Sequence, residues 1–411
     1  TEITMITIKI NTNQGDSGNV SLAAIAVSAV ENNNGGNVDN ATTLTINHVN
    51  VNGSVIQKEV VEVVSYPYTV YAKKISGLVA SHDYLILEKS IAEQAAVNIY
   101  YSESSTWDGS SVSSLLSGAG TQSNPYLITS GADLAYVAKV VNDAAKGTTN
   151  FKGEYFKMTK SIDLNNYPLY IGGFSGWGNR QIFNGHFDGN NCSIRGINND
   201  RALFGCIEGT VTNLSIYGKV YNDQGVGNEA GLVGYLRGQV HYITNYVDVS
   251  GHTQVGGVVA NLESKTASTH LTNYGTIRSI TAKGTWSAAG GIIGCVGYGH
   301  SDLVNWGDVY SVGSSAGGIG GYGHSSRAGV ITNAYNYGTV YCNYDDKGQI
   351  LGLIASHTYS NCHENGEVKD YLIYRNDVVE ENLITQSFYE ELIGQSKTDE
   401  ELMSYHNQKA L

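Results

Sequence analysis

The phrases "NYVDV" (from Asn245) and "NWGDV" (from Asn305) place Asp248 and Asp308 at the same point of a recurring pattern. Two carboxylates on one face are what glycoside hydrolysis requires, one as acid and one as base or nucleophile. The phrase between them, "NYGTI" from Asn273, has Thr276 at that point, so the two acids stand two units apart. If each unit is one coil of a stacked solenoid, the gap is about 10 Å, a loose match to the inverting arrangement. The same position also takes Lys219, Thr339 and Glu367, which reads as a solvated strand position rather than a catalytic one. A polysaccharide lyase would set basic residues beside the acids, but Arg278 and Arg327 occur singly in loops.

Metal chemistry fares no better. His300 and His324 each close a "GYGH", and His357 follows "IAS" one unit later. Imidazoles on successive units could share a metal, but these fall 6, 3 and 2 residues beyond the preceding glycine-rich phrase, so their registers differ. A zinc peptidase needs two histidines one helical turn apart with a glutamate base. The "HENGE" at His363 has Glu367 where the second histidine belongs and lies in a coil. No catalytic residue, metal or cofactor is therefore expected. The residue types left for recognition sit in three long loops, "YNDQGVGNE", "SITAKGTWS" and "CNYDDKGQ". They carry Tyr221, Asp223, Trp286, Tyr344, Asp345 and Asp346, aromatics beside carboxylates, which suit the apolar faces and hydroxyls of sugars as well as peptides.

Those loops need a scaffold, and two interleaved phrases supply it. One runs "AGLVG" (Ala230), "VGGVVA" (Val255), "AGGIIG" (Ala289), "AGGIGG" (Ala316) and "ILGLIA" (Ile350). The other runs "IYGKV", "NYVDV", "NYGTI", "NWGDV", "NYGTV" and "ENGEV", with third residues at 218, 247, 275, 307, 338 and 366. A period near thirty residues with short strands and no helix predicts one coil of a parallel β-helix per unit. About seven coils at about 4.8 Å each would stack to roughly 34 Å. Like residues then lie over one another: the asparagines as a ladder, the aromatics as a pile, with glycine at a tight or left-handed corner. The three long loops should leave one edge, on alternate coils.

Before the repeats, residues 1–104 alternate apolar and polar in "TTLTINHVNVNG" and "KEVVEVVSYPYTVYAKK", which predicts a β-sandwich-like domain. Residues 105–118, rich in Ser and Gly, read as a linker. Residues 119–201 read as the lead-in to the solenoid. It includes a helix capped by Ser130, stopped by Gly147 and striped with Leu134, Val137, Ala138, Val140 and Val141. Repeats fill 202–370, and 371–411 reads as a C-terminal cap with short helices over the last open strand edge.

Composition agrees with many strands: 50 glycines but only 3 prolines among 411 residues. A net charge of −13 disfavours nucleic acid or anionic lipid as a partner. Five cysteines without CxxC spacing read as small core residues.

The repeats together with "GTQSNPYLITSGADLAYVAKVVN" and "FNGHFDGNNCSIRGI" resemble the GLUG-motif repeat proteins, over roughly residues 119–370. These are bacterial surface proteins whose repeat also accompanies IgA1-specific metallopeptidases. The resemblance implies an all-β, right-handed parallel β-helix exported to the cell surface and used in adhesion, with no single ligand. The resulting expectation is a non-catalytic adhesin binding host or dietary glycan, or a surface protein, through the helix flank and its loops. Any outer-membrane attachment would depend on a lipid anchor upstream of Thr1. The alternatives are a carbohydrate-active β-helix enzyme with diverged catalytic residues and a stalk that presents the N-terminal domain.

Overall fold

The computed structural model describes residues 42–370, apart from 89–95, 111–115, 175–179, 225–226, 281–286 and 343. Strands expected before residue 42, the C-terminal cap at 371–411 and Trp286 lie outside the described residues.

The inward positions of the repeats build the core. Leu214, Ile243, Leu271, Leu303 and Ala334 are register partners on successive coils, and all are buried. Their burial removes a continuous apolar column from water, at about 25 cal/mol per Å². The chain winds as a parallel β-solenoid of about eight turns. Each full coil has a long bent face such as Gln239–Gly251, a short face such as Gln254–Gly256 and a third such as Val259–Leu262. The lead-in before the expected coils includes Tyr126–Ile128 and Tyr155–Met158, which extend the sheet of the long bent face without carrying either repeated phrase.

The asparagine ladder is formed. Asn245 donates to Asn273 at 2.7 Å, Asn273 to Asn305 at 2.8 Å and Asn305 to Asn336 at 2.8 Å. Each amide also donates to the backbone carbonyl two residues on, so the buried polar column is satisfied. The two phrases turn out to be complementary: a Cβ on Gly257 would come within 2.7 Å of Asn273 Oδ1. At the last rung Gln349 takes the place of that glycine, and its side chain accepts from Asn336, closing the ladder.

The left-handed corner is not where the glycines are. It falls at Asn213, Tyr242, His270, Asp302, Asn333 and Asn361, each three residues before the ladder position, with φ of 52–60°. Apart from Gly218, whose φ is 137°, the phrase glycines answer a different need: a Cβ on Gly307 would lie 1.9 Å from the carbonyl oxygen of Gly275 on the coil below.

The helix Gly131–Asp143 follows the first rung and buries Leu134, Ala135, Val137, Ala138 and Val141 in the solenoid core. Val140 is only half-buried, and the helix ends before Gly147 is reached. Ser130 caps it, accepting from Asp133 N at 3.3 Å, while Asp133 accepts in return from Thr129 and Ser130.

Before the solenoid, a four-stranded sheet built on Thr42–Asn50 and a two-stranded ribbon (Tyr68–Tyr71 with Tyr84–Leu87) share a core of Leu44, Ile46, Val70, Ile99 and Tyr101. The stretch read as a linker begins otherwise. Ser104–Thr106 is a strand paired in parallel with Ser161–Asp163, and Trp107 and Leu116 are buried in the solenoid core. Its polar serines satisfy strand hydrogen bonding as well as they would a flexible tether.

Candidate functional site

Outward positions of the bent face form three parallel columns, set by the corner residue and the residues two and four beyond it. The corner column offers Tyr242, His270, Asp302, Asn333 and Asn361. Tyr242 stacks on His270 at 4.5 Å, and Asn333 donates to Asp302 at 3.0 Å and accepts from Asn361 at 2.7 Å. Asparagine and aspartate tolerate the left-handed region through local hydrogen bonds, whereas tyrosine and histidine there carry strain. The second column runs Ser215, Thr244, Thr272, Val304 and Tyr335. The third is aromatic: Tyr217 lies 4.4 Å from Tyr246, Tyr246 lies 4.8 Å from Tyr274, and Trp306 lies 3.9 Å from Tyr337, all stacked.

The aromatic column docks the N-terminal domain. The Tyr217 hydroxyl donates to Ser81 O (3.1 Å) and accepts from Asp83 N (2.9 Å). Tyr246 donates to Tyr84 O, and Tyr274 accepts from Ile86 N at 3.2 Å. Below them Arg195 grips both oxygens of Asp83 (2.9 and 2.8 Å), donates to Ala80 O and lies 3.9 Å over the Tyr217 ring. Burial pushes the His82 imidazole down to about 4, with Arg195 acting in the same direction, and Ser215 shares a hydrogen bond with its Nδ1.

Between this docked segment and the corner column runs a groove in two connected parts. The polar part, about 610 Å³, is walled by Ser81 and His82 and floored by the corner and second columns from Asn191 to Asn361. The apolar part, about 390 Å³, is walled by Leu85–Glu88, Ala96 and Val97 and floored by Tyr274, Trp306, Tyr335 and Tyr337. Thr272, Val304 and Tyr335 line both. Six coil steps separate Asn191 from Asn361, so the polar part repeats its hydrogen-bonding groups every ~4.8 Å over roughly 29 Å.

The residues expected to bind lie elsewhere. The segments holding Asp223, Tyr344 and Asp345 do leave one edge, between the bent face and the short face, but Tyr221 is the last residue of the strand Thr210–Tyr221 and Asp346 the first of Asp346–Gly348, so neither is a loop residue. The rungs Gln254–Gly256 and Ser315–Gly317 separate the short strands that follow them. Asp223, Asp345 and Asp346 are exposed, Tyr221 is half-buried, and Tyr344 packs on the solenoid core. Asp248 accepts from Thr276 N at 2.7 Å and Asp308 from Thr339 N at 2.8 Å, each tying its carboxylate to the next coil. His300 is buried with Nδ1 accepting from Ser268 N, His357 is buried, and His324 accepts from Ser326 N. Among the described residues no group of three or more His, Cys, Asp or Glu could hold a metal. His363 and Glu364 are exposed on a short strand. All five cysteines are free and four are buried, burial pushing Cys206 and Cys295 up to about 12.

Fold and groove together define a parallel β-solenoid whose flank, with a docked β domain, makes a long cleft. No family model matches the chain. A protein named "Putative Gly-rich membrane protein", from Evansella cellulosilytica, is 34% identical over 144 residues, 32% of this chain; the chain spans 15% of that relative's length. Among solved structures, one named a "putative immunoglobulin A1 protease from Bacteroides ovatus" aligns with a TM-score of 0.45 and 20% identity, covering 62% of this chain and 79% of that one. A likeness of that size carries no argument about activity. No helix among the described residues is long and apolar enough to cross a membrane.

Proposed function

We propose that this chain is a non-catalytic, exported surface protein that binds an extended glycan, of host or dietary origin, along the solenoid flank. The observation that carries the reading is the groove: polar side chains recurring at the coil spacing beside a run of half-buried aromatic rings. Hydroxyl and amide groups at a fixed repeat suit a polymer lying along the solenoid axis, and the edges of the stacked rings give it an apolar flank. The carboxylates once weighed for catalysis are committed to the backbone, which supports binding over turnover. The groove has one wall in the N-terminal domain, which supports a joint binding unit over a stalk.

The test is a screen of the chain on mucin, plant and bacterial glycans, with the products followed for shortened or unsaturated chains. Binding of a linear glycan without turnover, weakened by Thr272→Val or Asn333→Ala, is the expected result. Product formation would overturn the non-catalytic reading. Binding unaffected by both substitutions would move the ligand off this groove.

A further inference from the structure

We infer that the polar part of the groove reads an extended β-1,4-linked glycan in register with the solenoid, one sugar ring to each of four successive coils. The inference deepens the glycan reading above and rests on it. Its first support is where the floor leaves hydrogen-bonding capacity open. Toward the C-terminal coils the corner column spends that capacity on itself: Asp302 accepts from Ser301 and Asn333, and Asn333 accepts from Asn361. Toward the N-terminal coils it does not. The Tyr242 hydroxyl, His270 Nε2 and the side chains of Asn191, Thr244 and Thr272 make no hydrogen bond among the described residues. Asn213 donates to Asp188 at 3.0 Å and keeps its amide oxygen open. These groups belong to four strands that pair in sequence, His186–Asn199, Thr210–Tyr221, Gln239–Gly251 and Thr269–Asn273.

A second observation places the wall over the same coils. The segment carrying Ser81 and His82 is held by Arg195 on the first of these strands, by Ser215 and Tyr217 on the second and by Tyr246 on the third. The walled stretch and the stretch with open hydrogen-bonding groups therefore coincide. From the first strand to the fourth is roughly 14 Å, in steps of ~4.8 Å, which favours a polymer whose own repeat is close to that step. Glucose, mannose or xylose rings joined by β-1,4 bonds make such a polymer. Both bonds at each ring are equatorial, so the chain runs straight as a flat ribbon, advancing about one coil spacing per ring with hydroxyls along both edges. An α-1,4 chain has one axial bond per ring and curls, which lifts successive rings off a straight floor. Each ring in register exchanges water for floor contacts, so the gain per ring is modest and cumulative.

The experiment titrates β-1,4-linked oligomers of glucose, mannose and xylose, from two to six rings, into the full chain by calorimetry. Oligomers of α-1,4-linked glucose of the same lengths are the comparison, equal to the glucose series in composition and charge. At least one β-1,4 series is expected to bind, its affinity rising with each ring to about four rings and then levelling. The α-1,4 chains should be weaker by about tenfold, the equivalent of one or two lost hydrogen bonds. Thr244→Val keeps the shape of an outward strand residue and removes one floor hydroxyl; it should weaken the four-ring chain by about fivefold. Equal affinity for the two linkages, affinity still climbing from four rings to six, or indifference to Thr244→Val would overturn the inference. A glycan of another linkage that binds and is weakened by Thr272→Val would refute the register and leave the groove reading in place. Absence of binding by every linear glycan would refute the groove reading and this inference with it.

Discussion

Asn305 sits at the middle of the ladder with no solvent contact, donating to Asn336 Oδ1 and Gly307 O and accepting from Asn273. Asn305→Ala would strand three buried polar groups and open a gap between coils, so a loss of about 3–5 kcal/mol in denaturant-induced unfolding is expected. Gln349→Ala, at the end of the same ladder, strands only the Asn336 amide and should cost about 1–2 kcal/mol. Equal effects would mean the ladder is not a connected network. Tyr242 gives the opposite kind of prediction. It is more than half exposed, holds a φ of 56° and faces the groove. Tyr242→Asn places a residue that tolerates this backbone at the corner, as Asn213 and Asn333 already do. Thermal stability should be unchanged or raised while glycan affinity falls; a fall in stability without loss of binding would show that the ring serves packing on His270 alone.

At the scale of elements, the aromatic column joins two domains. Arg195 spans the joint through its ion pair with Asp83, its bond to Ala80 O and its seat on the Tyr217 ring. Asp83 is more than half exposed, so the ion pair itself is worth little; the bond to a backbone carbonyl and the stacked ring add more. Arg195→Ala should loosen the segment 81–88, seen as faster amide exchange there with the solenoid core unaffected, and should weaken any ligand that uses both walls. The expected solenoid was legible because period, ladder and pile are written in like residues at like spacing. The docking was not, because Tyr217, Tyr246 and Tyr274 have the same spelling whether their hydroxyls meet water or the backbone of Ser81–Ile86. The corner was misplaced for a related reason: glycine marks both a left-handed residue and a missing Cβ, and at Gly275, Gly307, Gly338 and Gly366 the close approach of the neighbouring coil demands it, Gly218 alone adding a positive φ of 137°. Tyr242 and His270, unusual corner residues, gave no pattern to read. Deleting residues 1–104 is for the same reason no clean test of a stalk, since it removes Ser104 from its pairing with Ser161 and uncovers the ring column.

For the molecule as a whole, two kinds of buried group set how stability varies with pH. Glu229 is buried under Asn222 Nδ2 and His252 N, and burial pushes its carboxyl from the ordinary 4.5 up to about 7 despite those two donors. Between those values the folded chain keeps a proton the unfolded chain has lost, so this group's contribution is full below pH 4.5 and disappears as the pH rises through 7. The span corresponds to about 3 kcal/mol. His300 runs the other way, its imidazole pushed from 6.5 down to about 3 by burial, with His357 acting in the same direction. Its contribution is full above pH 6.5 and is lost as the pH falls toward 3, because only the unfolded chain takes up the proton. His82, lowered to about 4, adds to that acid limb at the domain joint. Urea unfolding of the parent chain, Glu229→Gln and His300→Gln from pH 4 to 8 separates the two. The gain of Glu229→Gln over the parent should grow by about 1.4 kcal/mol per pH unit up to pH 7 and then level off, while the deficit of His300→Gln should shrink as the pH is lowered. Parallel curves for all three chains would mean that neither group is held away from its ordinary titration by the fold.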